Sequence, residues 1–440
     1  MTDELDAFLA AHGDLEAVEA FVTDPNGVAR GKLLRASELA PLYRDGRPLP
    51  GSILNLDTTG MEVAHTADAD KLALPVAGTL RRASWRSVPT AQLLLSMFEL
   101  DGTPHAADPR HVLANVVDRC KADGFTPVVA AELELYIVDP ERTNIGQLQP
   151  PRAPRTRRRL DQIDSFSVTE LEELGPFLDE LFVAARAMEL PAETVISEYA
   201  PGQLEVVLRH RADALRAADD AVMWKRLVRG VATKHGLLAT FMAKPFTDRA
   251  GSGLHIHASL DDGAGQNLFA CDDRHGSSLM RHAIGGLLAT LDESMAIFAP
   301  NANSYRRYQA HSYAPTSRTW GVNDRSVAVR VPTGPPATRH LEHRVSGADA
   351  NPYLAIAAVL AGMHEGIVER IDPGGPVAGN ASRLPDTWPD ALRRLRESRF
   401  LDAYLGARFV EIFHAIKVAE CQRFHARVTE LDLDWYLTRA

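Results

Sequence analysis

The stretch Ala131–Asp139, AELELYIVD, sets two glutamates, Glu132 and Glu134, inside a run that otherwise reads as a buried β-strand. Residues two apart on a strand point to the same face. Leu133, Leu135, Ile137 and Val138, with PVVAA before them, leave no clean polar side for the acids to share with water. Two carboxylates projecting together from an apolar ribbon are costly unless something positive compensates them. A fold for this chain must therefore bring positive charge to that strand.

The chain has 440 residues, enough for two or more domains and a large core. The first hundred residues mix short strands and turns. VEAFVTDPNGVARGKLL reads as a hairpin closed by Asp24-Pro25-Asn26-Gly27. AQLLLSMFEL is a further strand, and ADPRHVLANVVDRCKADG is a helix with Asp108 as N-cap, Pro109 at its first position and Gly124 as terminator. A domain boundary is placed near residue 106, giving segments 1–106 and 107–440. The second segment alternates strands and helices: a helix from Ser167 through AMEL, a long helix ending at Gly236, LLATFMAKPF as a strand, and NPYLAIAAVLAGMHEGIVERI as an apolar helix. IGQLQPPRAPRTRRRLD, rich in Pro and Arg, reads as an exposed loop.

The net charge of −10 argues against a general nucleic-acid binder. Three scattered cysteines form neither a disulfide framework nor a zinc cluster, which points to a reducing, cytoplasmic setting. The acidic start MTDELDAFLA is unlike a signal peptide, and no run of about 18 apolar residues suggests a membrane span.

Three further places carry acids or histidines at strand-like spacing. In ISEYAPGQLEVVL, Glu198 and Glu205 flank a Pro-Gly turn. GSGLHIHASL sets His255 and His257 on one strand face, and HLEHRVS does the same for Glu342 and Arg344. Each alone has an ordinary reading, as the solvent face of a strand or a satisfied core histidine. Together they make an oxygen-rich set with few imidazoles, which favours magnesium or manganese over zinc or copper. Arg325 and Arg330 in NDRSVAVRVP and Arg307 in NSYRRYQ offer planar, bidentate contact to a phosphoryl group. With no Walker loop or kinase signature, carboxylates plus arginines suggest a nucleotide-using ligase of another kind.

The ordered set AELELY, EYAPGQLE, GSGLHIHASL, NSYRR, NDRSVAVRVP and RHLEHRVSGADANPYL resembles the glutamine synthetase family along nearly the whole chain. The resemblance implies an α+β fold, with an N-terminal β-grasp domain and a larger C-terminal catalytic domain. It implies sites between adjacent subunits of a homo-oligomer, a dodecamer of two hexameric rings. Glutamate would attack ATP to give γ-glutamyl phosphate, and a nitrogen nucleophile would displace phosphate. By position, Glu134, Glu198 and Glu205 resemble the ligands of one metal, and Glu132, His255 and Glu342 those of a second. The cations would be Mg2+ or Mn2+, two or more per site. His257 and Ser259 match nucleotide contacts, Arg325 and Arg330 the arginines on the transferring phosphate, and Gly251, Arg307 and Arg344 the glutamate-binding set.

Departures from the family pattern are informative. Ammonia-using members carry a glutamate where this chain has Tyr313, in NSYRRYQAHSYAP. A neutral aromatic there suits a larger amine. Asp57, in LPGSILNLDTTGMEV, corresponds to an ammonia-binding aspartate, and that stretch looks like the amine-using branch. Ala250 replaces the asparagine before GSG, and Ser382 replaces the tyrosine adenylylated in some bacterial members, so that modification is not expected. The expected activity is ligation of glutamate to a polyamine or a short monoamine such as ethanolamine, with Glu198 and Asp57 as candidate bases. The alternatives are an ammonia-dependent glutamine synthetase and a non-catalytic family member.

Overall fold

The computed structural model describes residues 2–63, 68–309, 312–376 and 382–440. Ala310 and His311, beside Tyr313, and Asn380 and Ala381, in the adenylylation stretch, lie outside the described residues.

Among the described residues the chain is a mixed α/β fold with two sheets. The first comprises β1 (Ala17–Thr23), β2 (Ala29–Arg35), β3 (Arg47–Pro50), β4 (Asp70–Pro75), β5 (Arg81–Arg82) and β6 (Thr90–Phe98). Its order is β2-β1-β6-β4-β3, with β5 also on β6. The expected hairpin is present: β1 and β2 pair antiparallel around Gly27, whose φ of 75° suits glycine. β1 and β6 run parallel. A core of Val18, Val22, Leu42, Leu54, Leu93 and Leu95 lies against this sheet.

The second sheet comprises β7 (Thr126–Val138), β8 (Ala192–Ser197), β9 (Gln203–Leu208), β10 (Leu238–Thr240), β11 (Leu254–Asp261), β12 (Trp320–Val322), β13 (Val329–Val331) and β14 (Leu341–His343). Its order is β12-β13-β14-β11-β7-β9-β8, with β10 on β7. Leu133, Leu135, Leu254, Ile256, Leu204 and Val206 belong to one large buried core with the helices behind the sheet. The acids and histidines alternate with them and take the other face.

The helices follow their caps. Asp108 accepts from Arg110 N at 2.8 Å at the start of Pro109–Ala122, and Gly124 ends it at φ 83°. The segment after Ser167 departs from the expected single helix. It forms Val168–Glu173 and Gly175–Ala187, separated at Leu174. Pro176 explains the break, since it has no N–H to continue the first helix and fits the first turn of the second. The strand expected over LLATFMAKPF is only Leu238–Thr240. In the basic loop Arg152, Arg155, Arg157 and Arg158 are exposed, as expected, while Pro150, Pro151, Ala153 and Leu160 are buried. Arg152 and Arg159 anchor it to Asp139 at 3.5 and 3.0 Å.

The two sheets are tied together by polar contacts. Arg226, on the helix Ala214–Lys234, donates to Glu19 at 2.6 Å and Gln92 at 2.9 Å, and its guanidinium lies 4.3 Å from the Phe21 ring centre. Asn351 caps the helix Pro352–Val368 and donates to the carbonyl of Asp24 at 2.9 Å. No helix among the described residues is long and apolar enough to cross a membrane.

Candidate active site

Strand register builds the site. β7 places Glu132 opposite His255 of β11 and Glu134 opposite Glu205 of β9. β14 places Glu342 opposite His257 and also opposite Arg330 of β13. One polar face of four neighbouring strands thus carries every candidate metal ligand except Glu198. That residue follows β8 in the turn to β9, its N–H bonded to the Gln203 carbonyl at 2.8 Å.

The side chains converge. His255 Nδ1 lies 2.5 Å from Glu132 Oε1 and 3.7 Å from Glu342 Oε1, and its Nε2 lies 3.8 Å from Glu134 Oε1. Ligand atoms of Glu132, His255 and Glu342 lie within 4.8 Å of one another, and so do those of Glu134, Glu205 and His255. The first group is one of the two sets implied by the family resemblance; the second brings Glu134 and Glu205 together with His255 in place of Glu198. Glu198 is not in either compact group. It lines the same cavity, of about 750 Å³, together with Glu132, Glu134, Glu205, Arg325, Arg330 and Arg344.

Electrostatics show a site short of positive charge. Burial, then the charges of Glu132, Glu134 and Glu198, push the Glu205 carboxyl up to about 10. Burial and the neighbouring Glu134 raise Glu198 as well. Glu132 is held well below the usual range despite its burial, because His255 and then His257 bond to it. Glu342 is likewise lowered against its burial by His255, Arg344 and His257. An all-oxygen set plus one imidazole, with one carboxyl driven to hold its proton, fits hard divalent cations. The donors present therefore suit the metal that the sequence called for.

The arginines divide by role. Arg330 donates to Glu342 at 2.8 Å and to Asn323 at 3.1 Å, while Arg344 pairs with the other Glu342 oxygen and donates to the Arg325 carbonyl at 3.2 Å. Arg325 is exposed at the cavity. Arg307 is only 4 % exposed and does not line the cavity. Its guanidinium donates to the carbonyls of Val345 and Arg344, at 2.7 and 3.2 Å, so within this chain it braces the loop behind Arg344.

Gly251 lines the cavity, and a Cβ there would meet Arg307 Cγ at 2.7 Å and the Ala243 carbonyl at 2.8 Å. Gln203 bonds the Gly251 carbonyl at 2.9 Å, and Tyr136 bonds that of Ala250 at 2.8 Å. Tyr313 lines the cavity and is 76 % exposed. His257 and Ser259 continue along the polar face of β11 beyond the cavity, and His257 Nδ1 stands 3.2 Å from His340 Nε2.

Asp57 is not brought to this cavity. It is fully buried, accepts from Thr59 N and Met61 N at 2.7 and 3.0 Å, and pairs with Arg423. An Asx-type turn and an arginine occupy its oxygens, and neither is visible in the spacing of the sequence.

Several residues of the site carried no signal in the sequence. Gln203, the first residue of β9, and the Gly253 N–H, in the glycine loop before β11, steer Glu134 at 3.5 and 2.8 Å. His210 joins His257 and His340 with ring centres 6.0 and 5.3 Å away. Phe166 and Tyr199 line the cavity beside Glu198. The HR pair at His210 and the RH pair at His340 were legible as histidines, but nothing local relates residues so far apart in the chain.

Known proteins are similar to this one throughout. γ-Glutamylputrescine synthetase of Escherichia coli K12 is 37 % identical over 450 residues, covering 100 % of this chain and 95 % of its own. Glutamate–isopropylamine ligase of a Pseudomonas species is 30 % identical, covering 98 % and 96 %. The solved structure of GmaS without ligand superposes with a TM-score of 0.87 at 29 % identity, covering 100 % of both chains. The model of the glutamine synthetase catalytic domain matches residues 106–436. With that match over most of its length, and with two ligand groups on one sheet face, the chain belongs to the glutamine synthetase family.

Proposed function

We propose that this protein is an ATP-dependent ligase joining the γ-carboxylate of glutamate to an organic amine through γ-glutamyl phosphate. The observation that carries this reading is the pair of ligand groups sharing His255 in one cavity with Arg325, Arg330 and Arg344. Relatives named for putrescine and isopropylamine support an organic amine over ammonia, as does Tyr313 in place of an acid.

Glu134, Glu198 and Glu205 would hold one divalent cation, and Glu132, His255 and Glu342 another, Mg2+ or Mn2+ in each case. Bound there, the cations supply neutralisation of charge on ATP and on the transferring phosphoryl group. Arg325 and Arg330 orient and stabilise that phosphoryl group from the chain's side, and His257 and Ser259 contact the nucleotide. Arg344 and the backbone at Gly251 receive glutamate, with Arg307 positioning Arg344. The amine arrives as an ammonium ion, since alkyl amines titrate near the lysine reference of about 10.4. Glu198, at the cavity, would take its proton before attack through a carboxylate oxygen not given to the cation. Asp57 would serve as a base only after leaving Arg423 and reaching the site of another copy.

Finer features belong to the same proposal. A β-grasp character for the first sheet is supported by its parallel β1–β6 pair flanked by antiparallel strands, and a boundary near residue 106 by the largely separate core of that sheet. Association of further copies is supported by the outward Leu431, Trp435 and Tyr436 of the helix Glu430–Tyr436, and a dodecamer is the form the family resemblance implies. A cytoplasmic location is supported by three free cysteines.

The test is phosphate release from ATP with Mg2+ and glutamate across ammonia, ethanolamine, monoamines, putrescine and spermidine, with the amide confirmed by mass. Turnover with an organic amine and little with ammonia is expected. Preference for ammonia overturns the choice of acceptor, and silence across the panel overturns ligation.

A further inference from the structure

Phe166, Tyr199 and Tyr313 all line the ligand-bearing cavity, and all three stand exposed, at 65 %, 54 % and 76 %. Three large aromatic rings left open at one cavity are unusual, because such rings normally pack against a core. None of them pairs with another aromatic ring among the described residues, so their exposed area is not taken up by ring stacking.

Their backbones strengthen the point. Phe166 and Tyr313 are held at φ 61° and 57°, a left-handed conformation that bulky residues rarely adopt. Such conformations persist only where surrounding structure enforces them, and they gather at functional sites. The enforcing contacts are visible. Phe166 N–H donates to the Ser197 carbonyl at 2.9 Å, and Glu170, four residues on, accepts from Gly202 N–H at 2.7 Å. The Phe166 loop is thus pinned at both ends of the turn that carries Glu198 and Tyr199. From a separate segment, Ser312 Oγ bonds the Arg307 carbonyl at 3.1 Å and holds the approach to Tyr313.

We infer that Phe166, Tyr199 and Tyr313 form an aromatic amine-selecting mouth, built for a primary aliphatic amine with an alkyl chain. Ring faces attract an ammonium through their quadrupole and pack methylenes at the same time. Ammonium itself, small and strongly hydrated, gains little from open rings spaced around a cavity of about 750 Å³. Glu198, next to Tyr199 in the chain, then receives the amine end. This inference rests on the ligase reading above and adds two specificity residues, Phe166 and Tyr199.

The test compares wild type with Phe166→Ala, Tyr199→Ala and Tyr313→Ala, using methylamine, propylamine, butylamine, putrescine and ammonia. The readout is the ratio of kcat/KM for butylamine to that for ammonia, with KM for glutamate and ATP measured alongside. Each alanine variant is expected to lower that ratio by ~10-fold, through KM for the amine. Tyr199→Phe keeps the ring and is expected to keep the ratio. A ratio unchanged in all three alanine variants overturns the inference while leaving the ligase reading intact. An equal loss for ammonia and alkylamines, with Tyr199→Phe as poor as Tyr199→Ala, also overturns it. Wild type that makes no amide with any amine removes the ligase reading itself, and the mouth with it. Should an alanine variant fail to fold, Phe166→Leu, which keeps apolar bulk and loses the π-face, is expected to reduce selectivity for the ammonium more than for chain length.

Discussion

His255 stands directly across from Glu132 in the pairing of β11 with β7, and the two side chains meet at 2.5 Å. The same ring reaches Glu342 at 3.7 Å from Nδ1 and Glu134 at 3.8 Å from Nε2. One imidazole therefore joins the two acidic groups into a single site, and disturbing it disturbs both.

Replacing His255 by Ala is expected to cut amide synthesis by at least ~100-fold, since it removes a donor and releases its neighbours. Replacing Glu134 by Ala is expected to abolish turnover without unfolding the protein. Phosphate release and circular dichroism on both variants check this. Unchanged activity in Glu134→Ala would sink the metal assignment.

Metal and pH are linked through Glu205. In the metal-free protein, burial and three neighbouring carboxylates raise its carboxyl from 4.5 to about 10. The folded form then holds a proton that the unfolded chain gives up, so this group favours the folded state fully below 4.5 and progressively less as pH rises to about 10. With EDTA, Tm is expected to fall between about pH 5 and pH 9. Saturating Mg2+ replaces the proton, so the gain in Tm on adding it is expected to grow with pH. A gain that is flat or shrinking across that range would contradict this account.

Gly251 has no room for a methyl group between Arg307 and the Ala243 carbonyl. Gly251→Ala is expected to cost about 1–3 kcal/mol of stability and to raise KM for glutamate more than KM for ATP. Denaturant melts and two-substrate kinetics measure both effects.

Asn351 does two jobs, accepting from Tyr353 N–H at 3.0 Å as a helix cap and donating to the Asp24 carbonyl at 2.9 Å in the β1–β2 turn. Asn351→Ala removes both, at a cost of about 1–2 kcal/mol. Asn351→Asp keeps the cap and loses the donor, and is expected to fall between the two. Equal stability of all three proteins by thermal melts would show that neither contact matters.

Some elements were legible because their signals are local. The β1–β2 hairpin announces itself through Asp24-Pro25-Asn26-Gly27, and the helix Pro109–Ala122 through Asp108, Pro109 and Gly124. The strand over LLATFMAKPF shrank to Leu238–Thr240, where pairing with β7 is available only to those residues. Apolar alternation shows that a segment can be a strand, while its length is set by the partner edge. The helix after Ser167 broke at Leu174, and there the Gly175-Pro176 pair was a readable signal that the apolar periodicity outweighed.

By itself the sequence determined which side of each strand is acidic. Glu132 with Glu134, His255 with His257, and Glu342 with Arg344 share faces because side chains alternate with a period of two whatever the strand pairs with. Only the tertiary structure decided which residues face one another: His255 against Glu132, Glu134 against Glu205, Glu342 against Arg330. It also decided that Arg307 braces a loop, that Asp57 stays in its own turn, and that Phe166 and Tyr199 open onto the cavity. The reason is that alternation is a property of one chain segment. Register and loop placement follow from hydrogen-bonded pairing and core packing between segments far apart in sequence, which no local pattern encodes.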